Sequence, residues 1–203
     1  MPMTLDRRRF LAVTGAAGAL AALPLPALAE PVMGDIALGA DDAPVTVIEY
    51  ASFTCPHCAA FHQQTWPKVK ADYVDAGKVR FILREVYFDR YGLWASMVAR
   101  CGGEQAFYPL AEAFLMKQDS WASVPEEQIG LEIAKIGRLN GLSNEQLDAC
   151  LSDEDYARSL IEQYQANAGE HDVRSTPTFI INGDKHTGNL PYEEFAQLLD
   201  AEL

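Results

Sequence analysis

Cys55-Pro56-His57-Cys58 constrains this chain more than any other run in it. Two cysteines two residues apart follow an alternating β-rich segment, Val45-Thr46-Val47-Ile48-Glu49-Tyr50, which itself follows the breaker Pro44. The pattern predicts a strand that delivers the first cysteine to the start of a helix, running from the motif to about Ala76 with a kink at Pro67. At a helix N-terminus, unpaired backbone N–H groups and the macrodipole favour negative charge. Cys55 therefore has a stabilised thiolate and a lowered pKa. A thiolate that forms easily also leaves easily, so a Cys55–Cys58 disulfide is expected to oxidise other thiols. The rival reading is half of a zinc site, which needs two more ligands. Cys101 and Cys150 stand far apart with no His pair near either, so no metal and no cofactor is expected.

The first residues read as a targeting segment rather than as fold. Arg7-Arg8-Arg9 is a basic n-region, Leu11–Leu28 is apolar and uncharged, and Ala27-Leu28-Ala29 is a small-x-small cleavage signal. Residues 1–29 are expected to be a cleaved signal peptide, and Arg7-Arg8 followed by Phe10-Leu11 matches the twin-arginine pattern, with a basic Sec signal as the alternative. No cysteine follows the cleavage site, which argues against a lipoprotein. Losing 29 of 203 residues leaves 174, enough for one packed domain. The lost part carries three Arg and one Asp, so the formal charge moves from −13 to −15. Such acidity excludes electrostatic binding of nucleic acid or anionic membrane and favours solubility. Export would place the chain in an oxidising compartment, where disulfides persist. Cys101 and Cys150 then either bridge a loop of about 50 residues or remain two buried free thiols.

Along the chain, Met33–Leu38 reads as a short strand, Asp41–Pro44 as a turn and Lys78–Val86 as a buried strand. The period then turns helical, with candidate helices at 92–100, 106–117, 125–138, 144–151 and 153–168. Strands return at 177–182 and 185–187 around a Gly183-Asp184 turn, and a last helix covers about 191–202. The order β-α-β, helical block, β-β-α is that of an α/β thioredoxin-like fold with an inserted helical subdomain. One domain is expected over residues 30–203, with the insertion at approximately 90–168. Trp94, Phe107, Tyr108, Phe114 and Trp121 of the insertion read as core.

Here the chain resembles the DsbA family of bacterial thiol–disulfide oxidoreductases. The run Val47–Cys58 is similar to the family's active-site strand and helix start, and Ser175-Thr176-Pro177-Thr178-Phe179 to its cis-proline loop. The insertion and the closing hairpin and helix match as well. The resemblance implies that Cys55 is the exposed, attacked sulfur and Cys58 the buried leaving sulfur. It implies that Pro56 and His57 set the redox poise, His57 by placing positive charge or an N–H dipole beside the thiolate. Glu49 shares a strand face with Val45, Val47 and Ala51, where an acid needs a partner or a task. The resemblance implies that Glu49 relays a proton to or from Cys58. Many relatives carry a lysine on the next strand beside this acid, but Val79-Arg80-Phe81-Ile82-Leu83-Arg84 is apolar at the matching position and leaves the charge partner of Glu49 unidentified. Pro177 is expected to follow a cis bond that sets the Thr176 backbone beside Cys55, ready to pair with an extended substrate. Threonine before that proline departs from the valine of the best-known oxidases and is common among reductases and isomerases.

The implied function is a periplasmic oxidase that passes its disulfide to reduced exported polypeptides. It would be recharged by a DsbB-like quinone-linked membrane partner, and would be a monomer, because only about fifteen residues separate the cleavage site from Val45. A disulfide isomerase or reductase is the alternative within the same chemistry. A non-redox binder of a metal or small molecule, and a glutathione-dependent enzyme, are alternatives outside it.

Overall fold

The computed structural model describes residues 31–203; the expected signal peptide lies outside them. Five strands form one sheet: β1 (Ala37–Leu38), β2 (Val45–Ala51), β3 (Val79–Glu85), β4 (Thr178–Ile181) and β5 (Asp184–Thr187). Their order is β1-β3-β2-β4-β5, with β2 and β3 parallel and every other neighbouring pair antiparallel. The first strand is shorter than the expected Met33–Leu38.

Period-two alternation sorts the sheet into two faces. Val45, Val47 and Ala51 of β2, with Val79, Phe81 and Leu83 of β3 and Phe179 and Ile181 of β4, join the main core. Tyr50 and Ile180 face the other way, packed with Val86, Ile48, Tyr164 and Val173. Both faces are covered, and Glu49, fully buried, is an acid among the apolar side chains of the main-core face.

The helix after β2 is divided. α1 covers Pro56–Gln64 and α2 covers Trp66–Val69, followed by a π-helical turn at Lys70–Val74. The sequence places the kink at Pro67, yet the break falls at Thr65. Proline cannot accept a helix turn upstream of its ring, and its missing N–H leaves the Gln63 carbonyl without its helical donor. Thr65 holds the junction, its N–H on the Phe61 carbonyl (2.8 Å) and its Oγ1 donating to the Leu190 carbonyl (3.0 Å).

Between β3 and β4 stand α3 (Arg90–Cys101), α4 (Glu104–Met116), α5 (Gln118–Ala122), α6 (Glu126–Leu139), α7 (Asn144–Leu151) and α8 (Glu154–Glu170). Caps set several starts. Asp89 accepts from the N–H groups of Tyr91 and Gly92, Ser143 and Gln146 form a capping box, and Asp153 accepts from Tyr156 N–H. The short α5 has no counterpart among the expected helices, since five residues are too few to show a period. Phe107, Tyr108, Phe114 and Trp121 are buried as expected, and Trp94 is partly buried against the core. Cys101 and Cys150 are bonded, joining α3 to α7 across 49 residues of sequence with Cα atoms 6.1 Å apart. Of the two open alternatives, the structure takes the bridge; chain entropy in the unfolded state makes such a loop worth up to about 4 kcal/mol.

The hairpin turn is Asn182-Gly183, one residue earlier than the sequence suggests. Both residues have positive φ (46° and 102°), the geometry of a two-residue hairpin turn, which Asn-Gly supplies with least strain. The chain closes with α9 (Tyr192–Asp200), whose Phe195 packs on Phe61 and Phe179. Among the described residues no helix is long and apolar enough to cross a membrane.

Candidate active site

Strand β2 ends at Ala51, and a tight turn with Cys55 N–H on the Ser52 carbonyl (3.1 Å) brings the chain to the helix. Cys55 is the N-cap of α1, in an extended conformation (φ −84°, ψ 118°), with Pro56 in the first helical turn, where its missing N–H costs nothing. The Cys55 carbonyl takes the first helical bond, from Ala59 N–H (3.1 Å). Cys55 is half-buried, Cys58 has no exposure, and Pro56 and His57 are exposed. Both thiols are free.

The environments of the two sulfurs differ in sign. Hydrogen bonding from the Cys58 thiol pulls the Cys55 pKa down to about 5 from the ordinary 9.0, against a burial penalty. The Thr176 side chain and the backbone N–H groups of Cys58 and His57 add to the lowering. The contribution of His57 here comes from its backbone. Burial pushes the Cys58 thiol far up, and the hydrogen bond to Cys55 and the Glu49 charge push it further. Above about pH 5 the reduced site therefore holds a Cys55 thiolate beside a Cys58 thiol.

Thr176-Pro177 is joined by a cis bond, and Cys55 Sγ lies 3.5 Å from the Thr176 carbonyl oxygen, to which the thiol form donates. Thr176 Oγ1 is buried without an aligned hydrogen-bond partner. The insertion reaches the site twice. Gln118 of α5 donates through Nε2 to the carbonyls of Phe53 (2.7 Å) and Cys55 (3.0 Å). Thr54 Oγ1 donates to Asp89 Oδ2 (2.6 Å), the residue that caps α3.

Behind Cys58, Glu49 finds the partner that the sequence left open. In the sheet it stands opposite Leu83, so no cation comes from β3. Its Oε2 lies 2.8 Å from His62 Nε2. His62 is four residues after Cys58 on α1, hence on the same helix face, and only 2% exposed. The i, i+4 spacing from Cys58 was the available signal for it. Gln118 and Asp89 carried no signal, because they reach the motif from far along the chain. Cys101 and Cys150 stand apart from this site, in the bridge between α3 and α7. No group of three or more His, Cys, Asp or Glu suited to a metal occurs among the described residues.

This asymmetry predicts a simple titration. Alkylation of reduced Cys55 by iodoacetamide is expected to run on a plateau above about pH 6 and to fall about tenfold per unit below pH 5, with Cys58 unmodified throughout. Because the folded pKa lies below the unfolded one, the reduced protein binds fewer protons than its unfolded chain between about 5 and 9.0. Its stability therefore rises with pH across that window and is lost as pH falls through about 5. Mass-spectrometric quantitation of alkylated Cys55 against pH, and denaturant melts of the reduced form, check both statements.

Residues 32–201 match the family model described as Thioredoxin. A Rickettsia conorii protein, provisionally named a protein-disulfide oxidoreductase, is 34% identical over 170 residues, covering 83% of this chain and 60% of the relative. The chain thus spans about 60% of the length of the first relatives it matches. Disulfide bond formation protein D of Bacillus subtilis is 27% identical over 183 residues, covering 85% of this chain and 78% of that protein. Among solved structures, α-DsbA1 of Wolbachia pipientis superposes with a TM-score of 0.76 at 27% identity, covering 85% of this chain and 92% of the other.

Proposed function

The chain belongs to the thioredoxin family, among its DsbA-like members, and on that premise we propose that it is a protein dithiol:disulfide oxidoreductase that donates the Cys55–Cys58 disulfide to polypeptides exported to the periplasm. The observation that carries this reading is the opposed poise of the two sulfurs, a half-buried Cys55 favouring thiolate above about pH 5 and a Cys58 held protonated by burial. Stabilising the reduced pair makes the disulfide oxidising.

In the first step a substrate thiolate attacks Cys55 Sγ. The Cys55–Cys58 bond breaks, the substrate–Cys55 disulfide forms, and Cys58 leaves as a thiolate that takes a proton by way of Glu49. A second substrate thiolate then attacks the substrate sulfur and Cys55 leaves as its stable thiolate. The substrate loses two electrons and gains a disulfide, and the protein ends as the Cys55 thiolate and the Cys58 thiol. Thr176, with Pro177 holding the loop, offers its backbone to an extended substrate beside the sulfur. Pro56 and His57, exposed on the rim, tune the poise. A DsbB-like quinone-linked membrane partner returns the site to the disulfide, and export, by the twin-arginine route, delivers a monomer of residues 30–203.

The alternative within the same chemistry is an isomerase or reductase, suggested by threonine rather than valine before the cis proline. One experiment separates the roles: oxidised protein mixed with a fully reduced, unfolded disulfide protein. Stoichiometric appearance of substrate disulfides is the expected result. Failure to oxidise the reduced substrate, with native disulfides appearing only by rearrangement of a scrambled substrate in the presence of a thiol, would replace the oxidase with the isomerase.

A further inference from the structure

Among the described residues, four buried side-chain polar atoms lack a hydrogen-bond partner, and three of them surround the cysteines: Glu49 Oε1, His62 Nδ1 and Thr176 Oγ1. Two belong to a single pair. Glu49 and His62 are joined at Oε2 and Nε2 and each keeps one bare atom, and both side chains are almost completely buried. Unpartnered polar atoms in such a place cost stability, commonly about 1–3 kcal/mol each. A purely structural pair would be expected to have them satisfied. A pair that must take up and release a proton needs a vacant site.

We propose that His62 is a positioning residue for the redox reaction: through its bond to Glu49 it shares the proton that Glu49 delivers to Cys58 as that sulfur leaves. The inference deepens the proposed thiol–disulfide chemistry and rests on it. When the Cys55–Cys58 bond breaks, the electron pair goes to Cys58 Sγ and the proton comes from the pair. When the disulfide re-forms, the Cys58 proton returns to the pair. Together the carboxylate and imidazole hold one proton more in the donating state than in the accepting one. A carboxylate alone behind Cys58 would have to carry that change unaided. The imidazole supplies a second site for it, with one nitrogen bonded to Glu49 and the other bare.

Cys58 stands one turn before His62 on α1, and the Glu49 charge acts on it. Tyr108 of α4 also feels Glu49, and its hydroxyl is engaged by the carbonyls of Ile36 and Phe81 (both 2.9 Å) and by Leu83 N–H (3.3 Å). The rings of Phe61 and Trp66 lie 5.5 and 5.6 Å from the imidazole centroid.

The test follows reduction of the oxidised protein by dithiothreitol, with each rate divided by the thiolate fraction of the reductant, from pH 5 to 9. A chemical reductant attacks Cys55 whatever the biological role, so this test and the proposed function can fail separately. For the unmodified protein the corrected rate is expected to fall about tenfold as the pair loses its proton. His62→Gln keeps an N–H for Glu49 Oε2 but cannot hold the proton. It is expected to be about tenfold slower at pH 6, equal at pH 9 and flat between. A His62→Gln profile that superposes on the unmodified one overturns the proposal. If that variant does not fold, the His62 ring resonance is titrated by NMR in the unmodified protein. A midpoint that moves between the oxidised and reduced forms supports the proposal, and an identical midpoint in both overturns it.

Discussion

Cys58→Ser is expected to lower dithiol oxidation by at least about a thousandfold, to the background of the solution, while leaving the fold and the Cys55 thiolate in place. The cause is stoichiometric. Without the second sulfur there is no disulfide to donate, and nothing behind Cys55 can resolve an adduct formed on it. Given a disulfide-containing peptide, the Cys55 thiolate still attacks, so this variant accumulates a mixed disulfide visible by mass spectrometry. Cys55→Ser also loses oxidation but accumulates no adduct, because the remaining thiol is fully buried and its pKa is pushed up. Equal adduct formation by the two variants would contradict the assignment of the attacked sulfur.

Arg100→Met is expected to destabilise the protein by about 3–5 kcal/mol, the usual consequence of leaving a buried charge without its partner. Arg100 and Glu85 are both nearly inaccessible and meet through two hydrogen bonds, Nε to Oε1 (2.6 Å) and Nη2 to Oε2 (2.7 Å). Burial lowers the Arg100 pKa, and the charge and hydrogen bonds of Glu85, with Tyr87 and Tyr156 nearby, more than offset it, so the net shift is upward. The remaining nitrogen, Nη1, donates to the carbonyls of Val32 (3.1 Å) and Gly34 (2.9 Å) and so fastens the segment ahead of β1. For a domain of this size the loss corresponds to a fall in melting temperature of about 10 °C, read by circular dichroism at neutral pH. Because the damage comes from the stranded carboxylate, Glu85→Gln combined with Arg100→Met is expected to recover part of it. A single variant that melts with the unmodified protein would show the pair to be dispensable.

Neither partner of that pair stood out in the sequence, although the redox motif did. Cys55, Cys58 and the strand that carries them were legible because the chemistry and the structural period coincide within fourteen residues. The placement of Glu49 on a buried face followed from alternation alone. Its partner did not, because the neighbouring strand sets only Leu83 opposite it. The cation came instead from the helix packed above, and packing between elements leaves no periodic trace. The same reason hides Gln118, which holds the carbonyl of the attacked cysteine from a helix of five residues. Pro67 announced a break but not its position, since a proline disturbs the turn before it. Helix limits in the insertion differed from expectation by one or two residues at most ends, where caps and packing decide.

The central claim is that the reduced state of the Cys55–Cys58 pair is favoured strongly enough to make its disulfide a donor. Equilibration of residues 30–203 with defined ratios of reduced and oxidised glutathione, read by quenched alkylation and mass spectrometry, measures that directly. The account predicts that the pair is fully reduced at glutathione ratios that leave ordinary structural disulfides, such as Cys101–Cys150, intact. A pair that stays oxidised until the mixture is as reducing as thioredoxin itself would contradict it, and would turn the same site into a reductase.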